Sequence, residues 1–425
     1  MAVKRLSSQS GFSLSDFWSA IQGNPLRTFL ICLAGITLST TDQALFSYAI
    51  PGIVEEFSVD LQVIGQILSV SFLVATFAVL ITGILTDRWG RRRMFVVVIA
   101  GAAIFVGLQA IAETLTWLAI FRALGFAISA GIYPIATTIM VEVAPARYRG
   151  LSAGWLQIGY PIGFGIAALI AAPLIGIYGW RAIFLPAFAV VPLAFLLGKL
   201  LKETSRFSEA KAQREAEQTG PVAEIFGPAY RGRTISCFVG SLFISHAIGG
   251  IIYFVPTFFV QERALSQETA AFLTGLSYVF GGAGYILVAY VGEFVTTRRN
   301  TLILCAWAGA VAFMLTIWFA QTPTWLVVGF AFSVMFAFGT EAVRMPMISE
   351  LFPTRMRATA TVIPGAMGVT VAYLIAPISV TYAAAQMGWT MAFTFLAVLP
   401  LLIGGVVFLT LRNVQSGLEI EETSG

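Results

Sequence analysis

Charge is what this chain has least of. Lys, Arg, Asp and Glu make up 11% of its 425 residues, against about 25% in soluble domains. Hydrophobic residues make up 58%, and the mean hydropathy is +0.86. Long polar stretches are scarce too: only the N-terminus, residues 202–232 and the tail after Arg412 qualify. Together these exclude a large soluble domain and point to an integral membrane protein. Histidine occurs once, at His246, which leaves no ligand set for a metal enzyme. The three cysteines, Cys32, Cys237 and Cys305, stand singly in apolar segments. Scattered in that way they form neither a disulfide framework nor a metal site, and they read as small buried residues. No nucleophile and base stand out as a pair, so neither an enzyme nor a cofactor is expected. The net charge is only +4, and the basic residues sit in short loops beside apolar runs. That leaves no footprint for nucleic acid.

What the chain does have is apolar runs long enough to cross a bilayer, which takes about 20 residues. Read between charged or turn-rich breaks there are twelve: 27–54, 61–86, 94–113, 116–142, 151–176, 181–201, 233–260, 268–295, 300–320, 323–350, 358–384 and 389–411. Forty glycines suit such a chain, because glycine lets membrane helices approach closely. No cleavable signal peptide is expected, since the first run is too long and lacks a small-x-small site. Residues 13–24 are expected to form a short interfacial helix capped by Ser13 or Ser15. Alternate connections carry the basic residues: Arg88, Arg91, Arg92 and Arg93; Arg147 and Arg149; Lys202, Arg206, Lys211, Arg214 and Arg231; Arg298 and Arg299; Arg355 and Arg357. The opposite connections hold almost none, Arg181 and Arg263. The positive-inside rule then puts both termini in the cytoplasm and makes the number of spans even.

The chain repeats itself. "EVAPARYRG" (142–150) and "ELFPTRMRA" (350–358) align at one constant offset, matching Glu142 to Glu350, Pro145 to Pro353, Arg147 to Arg355 and Arg149 to Arg357. Each stretch follows the fourth run of its half. The expected fold is an all-α membrane protein of twelve transmembrane helices in two six-helix, pseudo-symmetric halves, the build of a rocking transporter. Its parts are a cytoplasmic segment (1–26), an N-terminal bundle (27–201), a cytoplasmic linker (202–232), a C-terminal bundle (233–411) and a cytoplasmic tail (412–425).

These features resemble the major facilitator superfamily over nearly the whole chain. The loop after the second run, "GILTDRWGRRRM", is similar to that family's G-x-L-x-D-R-x-G-R-R signature, with Gly83, Asp87, Arg88, Gly90, Arg91 and Arg92 matching. The resemblance implies a gate at the cytoplasmic end, built from Gly83, Asp87, Arg88, Gly90 and Arg91 with Glu142, Arg149, Glu350 and Arg357. Asp87 would meet helix ends and basic groups across the halves. The second copy, "GEFVTTRRN" (292–300), has Thr296 where the Asp would fall and Glu293 one turn earlier. In the first run, "TTDQALFSYAIP" resembles the D-G-[FY]-D signature of aromatic-acid:proton symporters, followed by a proline nine residues on. Asp42 and Pro51 fit that spacing, while Ser39 replaces the first Asp and Thr40 the Gly.

Four ionisable residues fall deep in the runs: Asp42, Arg122, Glu341 and Arg344. A charge there costs about 2.5–3.5 kcal/mol on insertion scales, so such residues face cavities and mark function. Asp42 sits mid-run, and burial favours its uncharged form, which makes it the candidate proton carrier. The alternative for it is a structural carboxylate held ionised by a partner. Arg122 opens "RALGFAISAG", similar to the family's proton-coupling stretch, and its side chain is expected to reach Asp42; it could instead snorkel to the interface. Glu341 and Arg344, at i and i+3, pair on one helix face. Arg344 is the candidate anchor for a substrate carboxylate, which a guanidinium holds with two bonds. Glu341 neutralises it when the site is empty or carries a proton itself. His246, Phe46, Tyr133 and Tyr253 are further candidate substrate contacts, with Tyr160, Tyr278 and Trp307 among the other aromatics.

The expected function is proton-coupled uptake of a small organic anion, an aromatic or other carboxylate, by a monomeric carrier in the plasma (inner) membrane. Its partners would be that substrate, protons and membrane lipid. Two other readings stay open. "GYPIGFG" (159–165) partly matches the G-P-x-x-G-G pattern of proton-driven efflux antiporters. A substrate sensor that no longer transports is the third, although no signalling domain is present to serve it.

Overall fold

The computed structural model describes residues 14–145, 148–201, 222–353 and 356–413. Among these residues there is no strand. Eleven helices are long and apolar enough to cross a bilayer: Asn24–Phe57, Leu61–Thr86, Arg91–Ile111, Leu115–Val143, Ser152–Tyr178, Trp180–Leu200, Arg231–Gln261, Gln267–Glu293, Arg298–Phe319, Pro323–Glu350 and Thr361–Leu409. The last has 49 residues, about 73 Å at 1.5 Å each, more than twice the thickness of a bilayer core. It is broken at Gly388, whose φ of 77° and ψ of 164° are not helical. It therefore supplies two spans, 361–387 and 389–409, and the described chain has twelve, called spans 1 to 12 below.

The two halves terminate their helices alike. Thr114 and Thr322 stand at the same offset as the loop repeat, and each caps its fourth span by accepting a backbone N–H, from Trp117 at 3.3 Å and from Trp325 at 3.4 Å. The chain reverses before spans 6 and 12 at Gly179 and Gly388, both at positive φ (78° and 77°), where glycine avoids strain. A tryptophan follows each. Trp180 Nε1 donates to Glu56 at the end of span 1 (2.8 Å), and Trp389 Nε1 donates to Gln261 at the end of span 7 (2.7 Å). Arg181 and Arg263, the two basic residues of this end, cap neighbouring helices. Arg181 Nη1 donates to the Ala112 carbonyl at 2.6 Å, and Arg263 Nε to the Ala320 carbonyl at 3.1 Å.

At the opposite end the segments before spans 1 and 7 fold back onto the bundles. The expected interfacial helix is Leu14–Ala20, with Ser15 inside it and Ser13 outside the described residues. It does not lie apart at the interface: Phe17 and Ile21 are fully buried, and Phe17 packs against Tyr148 (5.6 Å between ring centres) and Trp155 (5.0 Å). Apolar side chains on so short a helix gain more from this aromatic pocket than from lipid headgroups. The described end of the segment read as linker packs in the same way. Val222–Phe226 form a 3-10 turn, Ile225 is fully buried, and its carbonyl accepts from Thr234 at 2.8 Å. Phe17 and Ile225 again stand at the offset of the repeat.

The halves meet along spans 5 and 8 and along spans 2 and 11. A side chain at Gly275 of span 8 would collide with Ala168 of span 5, and a Cβ at Gly65 of span 2 would lie 2.7 Å from the Pro377 carbonyl of span 11. Gly83 is on the same face of span 2, about five turns further along. Among the described residues nothing stands within 4 Å of its Cβ position, and Leu80, Ile81 and Ile84 around it are exposed. The halves are thus sealed at the end away from the chain termini and separated at the end that carries them.

Candidate functional site

The polar stretch of span 1 divides its work. Ser39 Oγ donates to the Ser129 carbonyl of span 4 at 3.3 Å, Thr40 Oγ1 to Gly159 and Thr41 Oγ1 to Gly163 of span 5 at 3.0 and 3.2 Å. These hydroxyls bind helices together, Ser39 and Thr40 doing so at the two positions where the symporter signature has Asp and Gly. Asp42 is left. It is 3% exposed and forms no hydrogen bond or ion pair with a described residue.

Arg122, 1% exposed, does not reach Asp42 and does not snorkel to the surface. Aromatic rings from three spans hold it instead: its guanidinium carbon lies 4.6 Å from the centre of Phe46 (span 1), 4.9 Å from Phe126 (span 4) and 5.9 Å from Tyr253 (span 7). A desolvated cation over an aromatic face gains about 2 kcal/mol, which accounts for the choice. Nη1 donates to the Gln43 carbonyl at 3.4 Å, while Nε and Nη2 have no acceptor among the described residues.

On span 10, Glu341 and Arg344 form the expected i,i+3 ion pair at 2.5 Å. The Arg344 side chain is fully buried and Glu341 keeps 20% exposure. Arg344 Nη1 also donates to Ser245 Oγ of span 7 at 2.7 Å. Arg344 Nε and Glu341 Oε1 have no hydrogen-bond partner among the described residues. Tyr133 and Tyr160 of the N-terminal half and Tyr285 and Tyr373 of the C-terminal half lie within electrostatic reach of Glu341. Tyr133 accepts from Gln157 Nε2 at 2.8 Å. It occupies the position in span 4 that the repeat relates to Glu341, so equivalent residues of the two halves face one another. Aromatic rings join the two arginine sites: Phe72 lies 5.8 Å from Tyr253 and 5.1 Å from Tyr373.

Ser245, Gln157, Phe72, Phe126, Tyr285 and Tyr373 belong to this group and were not singled out from the sequence. Nothing in the sequence set the last two apart, since Tyr285 shares its span with Tyr278 and Tyr290, and Tyr373 shares its span with Tyr382. His246 moves the other way. Its Nδ1 donates to the Leu396 carbonyl at 3.0 Å, and its Nε2 bonds Ser379 Oγ at 2.8 Å. Leu396 lies in the π-helical turn Thr394–Val398 of span 12, a wide turn of the kind that frees a carbonyl. Both ring nitrogens therefore have partners inside the C-terminal half, and His246 ties spans 7, 11 and 12 together. His246→Ala is expected to lower stability by about 1–3 kcal/mol, read as a drop in melting temperature, with substrate affinity of the folded carrier unchanged. Trp307 is likewise structural, donating to the Leu402 carbonyl of span 12 at 3.2 Å, and Tyr278 is buried against Phe164, 4.7 Å away.

At the separated end, Arg91 pairs with Glu142 at 3.1 Å, and Glu350 pairs with Arg298, which also reaches Glu293 at 2.5 Å. Each of these pairs lies within one half. Gly90 makes the turn between spans 2 and 3 at φ 93°; Arg88 is exposed. The side chains of Asp87, Arg149 and Arg357 lie outside the described residues.

Twelve spans in two like halves, sealed at one end around buried charge, define a membrane transport protein. The chain belongs to the Major Facilitator Superfamily, which matches residues 32–296 and, in a second match, 252–424. It is 26% identical over 341 residues to a probable 4-methylmuconolactone transporter of Cupriavidus pinatubonensis, covering 78% of each chain. It is 25% identical over 363 residues to a gallate transporter of Pseudomonas putida, covering 78% of this chain and 79% of that one. Among solved structures, a D-xylose–proton symporter superposes with a TM-score of 0.76 at 16% identity, over 94% of this chain and all of that one.

Proposed function

We propose that this chain is a secondary active transporter that takes up a small organic anion, an aromatic or other carboxylate, together with protons. It works as a monomer in the plasma membrane, with both termini in the cytoplasm. The observation that carries the anion is the pair of buried arginines where the halves meet. Among the described residues Arg122 has two nitrogens without an acceptor and Arg344 has one, and a buried guanidinium donor left unmet is costly. A lipophilic cation would meet the wrong charge. The aromatic rings between the arginines suit a planar acid, and the relatives named for 4-methylmuconolactone and gallate support the same class.

In this reading Arg344 holds the substrate carboxylate in a bidentate grip and releases Glu341, which Arg344 neutralises in the empty site. Phe46, Tyr133 and Tyr253 line the path. Asp42 carries the proton: a carboxyl so dry and so poor in donors keeps a charge only when water or a cation approaches it. Arg122 supports coupling through the shared aromatic cage instead of by direct contact with Asp42. With the termini in the cytoplasm, the separated end faces the cell interior and the sealed end faces outward. Arg91–Glu142 and Arg298–Glu350 then brace each half at the cytoplasmic gate.

Purified carrier in proteoliposomes tests this. With the outside made acid, gallate and other one-ring carboxylates are expected to accumulate above equilibrium, and a protonophore is expected to collapse that accumulation. Uptake indifferent to the gradient would remove the proton, and preferential transport of lipophilic cations would remove the anion.

A further inference from the structure

A second basic feature lies away from the central site. Between the end of span 2, the start of span 3 and the end of span 6 is a groove of about 720 Å³, lined by Trp89, Arg92, Arg93, Val96, Val97, Phe195, Gly198 and Lys199. Three cations line it and no acid does. The groove is on the outside of the bundle. Val97 is 48% exposed, Phe195 56% and Trp89 53%, so the walls below the charges are bare hydrocarbon. A soluble anion has no use for such walls. A phospholipid has, since its phosphate needs cations at the membrane surface and its chains need an apolar track directly beneath. Tryptophan at the rim is the usual marker of headgroup depth.

We propose that this groove binds an anionic phospholipid, with the headgroup phosphate on Arg93 and Lys199 and an acyl chain along Val97 and Phe195. The lipid joins span 3 to span 6. Arg92 already makes that link through protein, its Nε donating to the Gly198 carbonyl at 2.7 Å. The neighbouring Arg91 holds Glu142 at the end of span 4, so the lipid sits one residue from the brace of the separated end. Its occupancy therefore stiffens the N-terminal half where the two halves part, and transport becomes sensitive to membrane charge.

Native mass spectrometry of the full-length carrier, titrated with phosphatidylglycerol or phosphatidylcholine, tests the site. Wild type is expected to prefer phosphatidylglycerol. Arg93→Gln with Lys199→Gln is expected to weaken that lipid by roughly 30-fold, about tenfold or less per charge, while phosphatidylcholine binding and the melting temperature of the variant show that it is folded. Arg27→Gln with Arg231→Gln removes the same charge elsewhere and is expected to leave the preference intact. A photoreactive acyl chain on phosphatidylglycerol is expected to label peptides containing Val97 or Phe195. Equal losses in the two double variants, or no preference between the lipids, would overturn the proposal. So would equally tight binding of glycerol phosphate, which would make the groove a site for soluble anions.

Discussion

Arg344→Ala is expected to weaken binding of the carboxylate substrate by about 2–5 kcal/mol, roughly 30- to 5,000-fold in Kd. The cost has two parts. The substrate loses its bidentate partner, and Glu341 is left 20% exposed with no cation beside it. The second part is an effect on the empty carrier, because an uncompensated buried charge destabilises the fold. Arg344→Ala combined with Glu341→Gln removes it, so the double variant is expected to melt near wild type and still fail to bind. Arg344→Lys keeps the charge without the planar fork and is expected to fall between, since lysine meets a carboxylate as a point charge. Ser245, which fixes Nη1 at 2.7 Å, orients the guanidinium; Ser245→Ala is expected to raise Kd by about tenfold or less. Equilibrium binding by scintillation proximity separates these cases. Normal binding in the double variant would move the anchor to Arg122, two of whose nitrogens lack an acceptor among the described residues.

Asp42→Asn is expected to uncouple the carrier without stopping it. A gradient of two pH units is worth about 2.7 kcal/mol for one proton, which supports roughly 100-fold accumulation. A monoanion moving with one proton carries no net charge, so membrane potential adds nothing. Asparagine keeps the shape and cannot take up the proton, so accumulation is expected to fall to equilibrium while exchange of labelled for unlabelled substrate continues. The comparison of the two assays is what identifies the role. Loss of exchange as well would mean a structural residue, and accumulation intact would pass the proton to Glu341.

Much of the fold could be read from the sequence because lipid imposes strict terms on it. A backbone in hydrocarbon must satisfy its own hydrogen bonds, so apolar runs of sufficient length become helices. The repeat around Glu142 and Glu350 was equally plain, as both are acids beside prolines in otherwise similar loops. The buried charges stood out for their rarity. Their partners did not. Arg122 is held by rings from spans 1, 4 and 7, and such a cage exists only once three helices have packed. Tyr285 and Tyr373 were hidden among many aromatics, because membrane helices are apolar toward lipid and protein alike, and periodicity cannot say which face is inward. The partners of His246 could not be read, because its acceptor is a carbonyl freed by a π turn more than a hundred residues away. The short helix at Leu14–Ala20 was seen, but its burial under Tyr148 and Trp155 depends on a pocket from the far side of the half.

In the proposed uptake cycle, the seam along span 2 would also set the mechanical gain of the carrier. Gly65 is pinned against Pro377, and Gly83 is free on the same face, about 27 Å along a rod that scarcely bends. A tilt of about 20° around the pinned end carries the free end through roughly 9 Å, close to one helix diameter. In the proposed uptake cycle, a door wide enough for a one-ring acid would thus open at the far end for almost no movement at the hinge. The tight glycine contacts act as the fulcrum, and the residues that decide how far the gate swings are the ones that lie farthest from it.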